Sequence, residues 1–313
     1  MPTKNQRNNI SFPYAIQSFI GYLEGTKKSA HTVKNYRLDL LAFQNFMQLE
    51  YGGKAVKLEE VSPGDLQRYR FYLKEKGFKT NTRRRKILTV TQFLAYLFRR
   101  KKVSPDVAKK IPAPHKVERI PFTVCSEQLV QAIGDLPTDT LIDARNRVLL
   151  WTLAETGCLV SEVTEIKFEH WSRNGASQAM VQIPGKSERL IPVSSELFFA
   201  IQQLKEKCAS GKAIPSWIFL GFNKYGSLGA PISARGVELL VKLYSKKLGF
   251  SDLTPRIFRH SVILRWFEEG VSPKEIQSWL GLKTTYAFRS YEPLLIKSNS
   301  GTTSNAEKSS RES

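Results

Sequence analysis

The second half of the chain carries side chains whose types could act on a phosphate ester. Arg256 and Arg259 stand three apart in TPRIFRHS (254–261), behind a Thr-Pro helix start, so both guanidinium groups share one helix face. A planar guanidinium can donate two parallel hydrogen bonds to an oxyanion and stays protonated, so it supplies charge and no base. Lys186 would sit at the tip of a hairpin, and Tyr291 ends the segment WLGLKTTYAFRSY (279–291). A phenol has a pKa of about 10 and is a weak nucleophile unless its surroundings supply charge stabilisation and proton transfer. Taken singly, these residues also read as ion-pair arginines, a solvated turn lysine and a core tyrosine. His260 reads as a structural histidine packed beside the helix. Cys125, Cys158 and Cys208 have no metal-ligand spacing and no disulfide density, so they are expected to be reduced thiols, with no metal site.

The elements that must position these groups follow from periodicity. Residues 141–155 form an apolar, buried helix, and 179–183 with 189–193 read as two short strands around a Pro-Gly turn that carries Lys186. Thr254-Pro255 and Ser272-Pro273-Lys274-Glu275 each open a helix, the second through a capping box. Upstream, Val33, Tyr36, Leu40, Phe43 and Met47 recur at helical spacing, with Thr32 able to cap their helix, and Ile87, Val90, Leu94 and Leu97 form a second stripe. A further helix spans 62–77, between Ser62-Pro63 and Gly77. The reading is a mainly α chain with a small β-sheet (α+β). A helical bundle (1–104) is followed by a basic, Pro-rich linker (105–121), a second domain (122–297) and a polar, disordered tail (298–313).

Charge points to the partner. The chain has 313 residues and a formal net charge of +20. Residues 1–110 hold 23 Lys and Arg against 8 Asp and Glu, or +15, whereas 111–313 hold 25 against 20, or +5. Such an excess exceeds what solubility needs and suits a polyanion. The run Arg83, Arg84, Arg85 and Lys86 is the leading candidate for phosphate contact. A basic RNA-binding protein fits the charge, but no paired aromatic RNA-recognition motifs occur. No apolar signal-peptide core is seen at the N-terminus, and no stretch reaches the roughly 18 apolar residues of a membrane span, so a cytoplasmic protein is expected.

Four segments in order, TGCLVSEV (156–163), IPGKSERLIP (183–192), TPRIFRHS and WLGLKTTYAFRSY, resemble the tyrosine recombinase, or phage integrase, family of Xer type. Members usually read TGLRVSEL, a hairpin ending KERLIP, H-x-x-R-H, and LGH with a tyrosine nine positions after that histidine. The resemblance implies a helical core-binding, SAM-like domain followed by a recombinase catalytic domain. It also implies site-specific binding of duplex DNA, cut and rejoined through a 3′-phosphotyrosine with no cofactor, and a tetramer on paired sites. Tyr291 falls on the nucleophile, Arg259 on the second arginine, which would grip the scissile phosphate, and Lys186 on the lysine that would protonate the leaving 5′-oxygen. Three positions depart: Leu159 replaces the first arginine, Arg256 the first histidine of H-x-x-R, and Leu282 the histidine of LGH. Arg256, one turn from Arg259, would restore the missing charge. The departures fit a rebuilt active site or, alternatively, an integrase-fold DNA-binding or regulatory protein with impaired catalysis. Leu294, Leu295 and Ile296 would pack on a neighbouring subunit or on their own domain.

Overall fold

Short polar residues begin most of the helices. A computed structural model describes residues 10–26, 28–54, 56–108, 112–174, 178–209, 215–222 and 228–296; the expected tail at 298–313 lies outside them. The chain divides into two compact units, Met1–Glu118 and Arg119–Ser313.

The first unit is a bundle of α1 (Phe12–Gly25), α2 (Ala30–Glu50), α3 (Pro63–Glu75), α4 (Thr80–Arg99) and the short α5 (Pro105–Ala108). The cap of α2 is Ser29, whose hydroxyl accepts from the Thr32 N–H, so Thr32 stands inside the first turn and not at the cap. Ser62 and Asp65 close a reciprocal box over the start of α3. The apolar stripes of α2 and α4 meet those of α1 and α3 in a core that includes Phe19, Phe43, Tyr69 and Phe93, whose rings meet tilted or edge to face. Helix α1 lies outside the stripes that periodicity reveals. Beyond α5, Asn81 of α4 exchanges hydrogen bonds with both backbone groups of Val117, and Arg84 donates to the Pro114 carbonyl at 2.7 Å. Residues 114–117, expected as linker, are thereby fastened to the bundle.

The second unit is built around α7 (Leu141–Thr156), buried along most of its length, as the largely apolar run Val148–Ala154 requires, with Arg145, Asn146 and Glu155 buried beside it. Against it pack α6 (Ser126–Gly134), α9 (Ser195–Ala209) and α11 (Pro255–Glu268). The short α8 (Val160–Val163) leads to an antiparallel sheet of β1 (Trp171–Asn174), β2 (Gln178–Ile183) and β3 (Arg189–Val193), in that order. Ala179, Val181 and Ile183 point inward and pair with Val193, Ile191 and Arg189. A second pair, β4 (Leu220–Phe222) and β5 (Leu228–Pro231), precedes α10 (Ala234–Ser245). After α11 come α12 (Pro273–Trp279), entered through the Ser272–Glu275 box, a 3-10 turn (Thr285–Tyr291) and a helical turn at 292–296. Leu294 packs on its own unit's core, whereas Ile296 is exposed. No helix among the described residues is long and apolar enough to cross a membrane.

Candidate active site

The site is assembled where α7 stops. Helix α7 ends at Gly157 in the left-handed region (φ +55), and a Cβ there would lie 2.7 Å from Val262 Cγ1, so glycine is required by both conformation and space. The close approach lets Arg259 of α11 donate from Nη1 to the Gly157 carbonyl at 2.6 Å, while its Nη2 reaches the Leu280 carbonyl at 3.2 Å. Two of its five N–H donors are thus spent on positioning, which leaves three for a ligand oxygen. Burial lowers the Arg259 pKa, and the Glu162 carboxylate opposes that effect.

Three of the four motifs converge on one ion pair. Glu162, in α8, accepts from Arg189 Nη1 at 2.8 Å and Nη2 at 2.9 Å, and caps the Leu159 N–H at 2.7 Å. Arg189 also donates from Nε to the Trp279 carbonyl at 2.6 Å and from Nη1 to the Ser187 carbonyl at 3.0 Å. One guanidinium therefore ties α8, the β2–β3 hairpin and the end of α12 together. Gly281, at φ +63, closes the same junction, since a Cβ there would stand 2.9 Å from Ser187 Cβ. Lys186 is exposed in that hairpin turn, next to Ser187. Leu159 is half exposed beside the Gly157 turn, and Leu282 packs partly buried on the core.

Tyr291 is buried, with its ring near Phe267 and Phe288. Its hydroxyl and His260 Nδ1 share a hydrogen bond, and Arg256 Nε donates to His260 Nε2 at 3.1 Å. Burial raises the Tyr291 pKa, partly offset by Arg259 and Arg256. Burial, with Arg256 and Arg259 beside it, pushes the His260 pKa down to about 4, so the ring is neutral at pH 7. The i, i+4 spacing of Arg256 and His260 was legible in the sequence, but nothing local put Tyr291 against the second ring nitrogen. Arg256 lines an open cavity of about 1110 Å³ between α10 and the start of α11, with Arg235, Lys242 and Lys246 on its walls.

In the first unit the basic run divides. Lys86 is buried and paired with Asp39 at 3.0 Å, so its ammonium belongs to the bundle interior. Arg85 pairs with the same carboxylate from a half-exposed position, and Arg83 donates to Thr80 Oγ1 at 3.2 Å. In the second unit, Arg145 lies buried over the Phe222 ring and Arg147 over Trp151, so both are occupied by aromatic faces. Among the described residues no cluster of three His, Cys, Asp or Glu could hold a metal.

Comparison with known proteins agrees with this architecture. Residues 16–101 match the phage integrase N-terminal SAM-like domain and 124–293 the phage integrase family. Tyrosine recombinase XerC of Halalkalibacterium halodurans is 27% identical over 87% of this chain and 91% of its own length. XerC of Pelobacter propionicus is 29% identical over 87% and 89%. Among solved structures, the XerH site-specific recombinase in a post-cleavage complex with palindromic difH superposes with a TM-score of 0.69 at 15% identity, covering 88% of this chain and 80% of that one. A lambda integrase dimer bound to a COC′ core site gives 0.65 at 17% identity, covering 92% and 78%. With the catalytic-domain match spanning more than half of its residues, the chain belongs to the phage integrase family.

Proposed function

We propose that this protein is a site-specific DNA recombinase that cuts and rejoins duplex DNA through Tyr291. The observation that carries the reading is the convergence of Tyr291, His260, Arg256 and Arg259 on one end of α11, inside a chain of integrase family. The Tyr291 oxygen attacks the scissile phosphate, forming the O–P bond of a 3′-phosphotyrosine while the bond from phosphorus to the 5′-oxygen breaks. Lys186, on the hairpin turn held by Arg189, gives its proton to that leaving oxygen. Arg259 directs its remaining donors at the non-bridging oxygens, and Arg256 supplies the charge that Leu159 cannot. The bond energy is kept in the phosphotyrosine, so the free 5′-hydroxyl of a partner strand can reverse the step without a metal or nucleotide.

The partner is duplex DNA, and the working assembly is a tetramer on two paired sites. The DNA-bound dimers and tetramer among the structural relatives support this reading. Arg83, Arg84 and Arg85 meet phosphates from the first unit, and Lys242 and Lys246 do so beside Arg256. A duplex selected from genomic fragments, nicked beside each candidate scission position, tests the chemistry. Mass spectrometry should find DNA joined to Tyr291, and none in Tyr291→Phe. Tight, specific binding with no adduct would instead identify a DNA-binding regulator.

A further inference from the structure

The hydrogen bonds around His260 define which ring nitrogen carries the proton. Arginine has donors only, so Arg256 Nε must donate to His260 Nε2, and that nitrogen must present its lone pair. The charged groups acting on the ring are Arg256 and Arg259 of its own helix, and both oppose a second proton; Tyr291 faces it from the 3-10 turn. A neutral imidazole whose Nε2 is an acceptor carries its hydrogen on Nδ1. Nδ1 is the atom that meets the Tyr291 hydroxyl.

Building on the recombinase reading above, we infer that His260 is a catalytic residue that donates its Nδ1–H to the phenolic oxygen of Tyr291, and that Arg256 is the positioning residue that selects this tautomer. The assignment reverses the usual role of a histidine beside a nucleophile. His260 has no lone pair directed at the phenol, and neither guanidinium is a base, so the phenol proton is lost to water before attack. The Nδ1–H then stabilises the phenolate, whose electron pair forms the O–P bond as the 5′-oxygen leaves with the Lys186 proton. In rejoining, the same N–H receives the phenolate as the leaving group. A histidine at position 256, as the family pattern has it, could sit as donor or acceptor toward His260; arginine leaves one choice.

Two measurements on the full-length protein test this. The first uses ¹⁵N-histidine-labelled protein at neutral pH, with the His260 signals identified by their loss in His260→Asn. The expected state is protonated at Nδ1 and bare at Nε2; an Nε2–H tautomer or an imidazolium overturns the inference without any reference to DNA cleavage. The second measures adduct formation on a nicked duplex whose leaving 5′-oxygen is replaced by sulfur, a leaving group that needs no Lys186 proton. The asparagine amide nitrogen falls where Nδ1 lies, whereas that of glutamine falls where Nε2 lies. His260→Asn should therefore keep most of the rate, and His260→Gln should lose about 10- to 100-fold, the worth of a hydrogen bond to a charged oxygen. The wild-type rate should climb with pH toward the phenol pKa, and that limb should move up in His260→Gln. A plateau from neutral pH upward, the mark of a histidine base, or equal rates for the two variants, overturns the donor role. If wild-type protein forms no adduct, the recombinase reading fails instead, and the tautomer is still decided by the first measurement.

Discussion

Replacing Glu162 with alanine should cost the second unit about 3 to 4 kcal/mol. The Glu162–Arg189 pair is largely withdrawn from water, with side chains 17% and 6% exposed. Removing one partner of such a pair leaves an uncompensated charge and typically costs about 3 to 5 kcal/mol. The lower part of that range applies because Arg189 keeps two acceptors, the carbonyls of Trp279 and Ser187. The Leu159 N–H loses its cap but sits at an exposed helix start where water can replace it. All five tryptophans lie between residues 151 and 279, so their fluorescence reports the second unit alone. Urea titration followed by that signal should show the loss, and the thermal midpoint should fall by roughly 6 to 16 °C for a unit of this size. Pairing Glu162→Leu with Arg189→Met should destabilise less than either single change, because no charge is then stranded. A loss under about 1 kcal/mol for Glu162→Ala, or strictly additive losses in the double variant, would refute the claim that this pair holds the junction.

Gly157→Ala should destabilise the same unit by roughly 2 to 4 kcal/mol, from left-handed backbone strain and the clash with Val262, and should cut adduct formation by moving Arg259; Val262→Ala should restore part of the stability. Because His260 is protonated more readily unfolded (pKa about 6.5) than folded (about 4), the unfolded state binds more protons in that interval, so stability is complete above pH 6.5 and falls as pH drops toward 4; a denaturant series over this range should show a smaller loss in His260→Asn. A thiol reagent at neutral pH should modify exposed Cys125 and spare Cys158, whose pKa burial pushes up to about 11; rapid labelling of Cys158 in the folded protein would contradict its place in the core. Neutralising Arg83, Arg84 and Arg85 should flatten the salt dependence of DNA binding by about 0.9 log unit for each phosphate that no longer meets a cation, while Lys86→Gln should show mainly as lost stability through Asp39, a division that equal slopes in all four variants would rule out.

What the sequence made legible was local. The strands at 179–183 and 189–193, the helix at 141–155 and the capped starts at Ser62, Thr254 and Ser272 depend on period and on neighbours within three or four residues, and each appears within a residue or two of its expected place. Ser29 outcompetes Thr32 as the cap of α2 because the helix begins three residues before the first apolar position that revealed it. The link from Tyr291 to His260 spans 31 residues, and that from Arg189 to Glu162 spans 27. Neither leaves a periodic trace. Glycine gave a partial signal: Gly157 and Gly281 both stand inside quoted motifs, yet only the packed neighbours reveal that each is a point of close approach between segments.

The three departures from the family pattern change the kind of chemistry more than the amount of charge. An arginine is absent at 159 and an arginine is gained at 256, so the number of permanently cationic groups in the set is unchanged. The new one stands a single turn from Arg259 and lines the open cavity beside it. Two histidines are absent, at 256 and 282, and with them go two groups able to shuttle protons near neutral pH. His260 has its acceptor nitrogen occupied by Arg256 and a low pKa, so it cannot replace them as a base. In the proposed reaction Lys186 is the group that gives a proton to the leaving oxygen. It follows that cleavage should depend on pH more steeply than binding does, with Tyr291 ionisation limiting at neutral pH. A cleavage rate that is flat between pH 6 and 9 while binding is saturated would mean that a proton acceptor outside this set is at work.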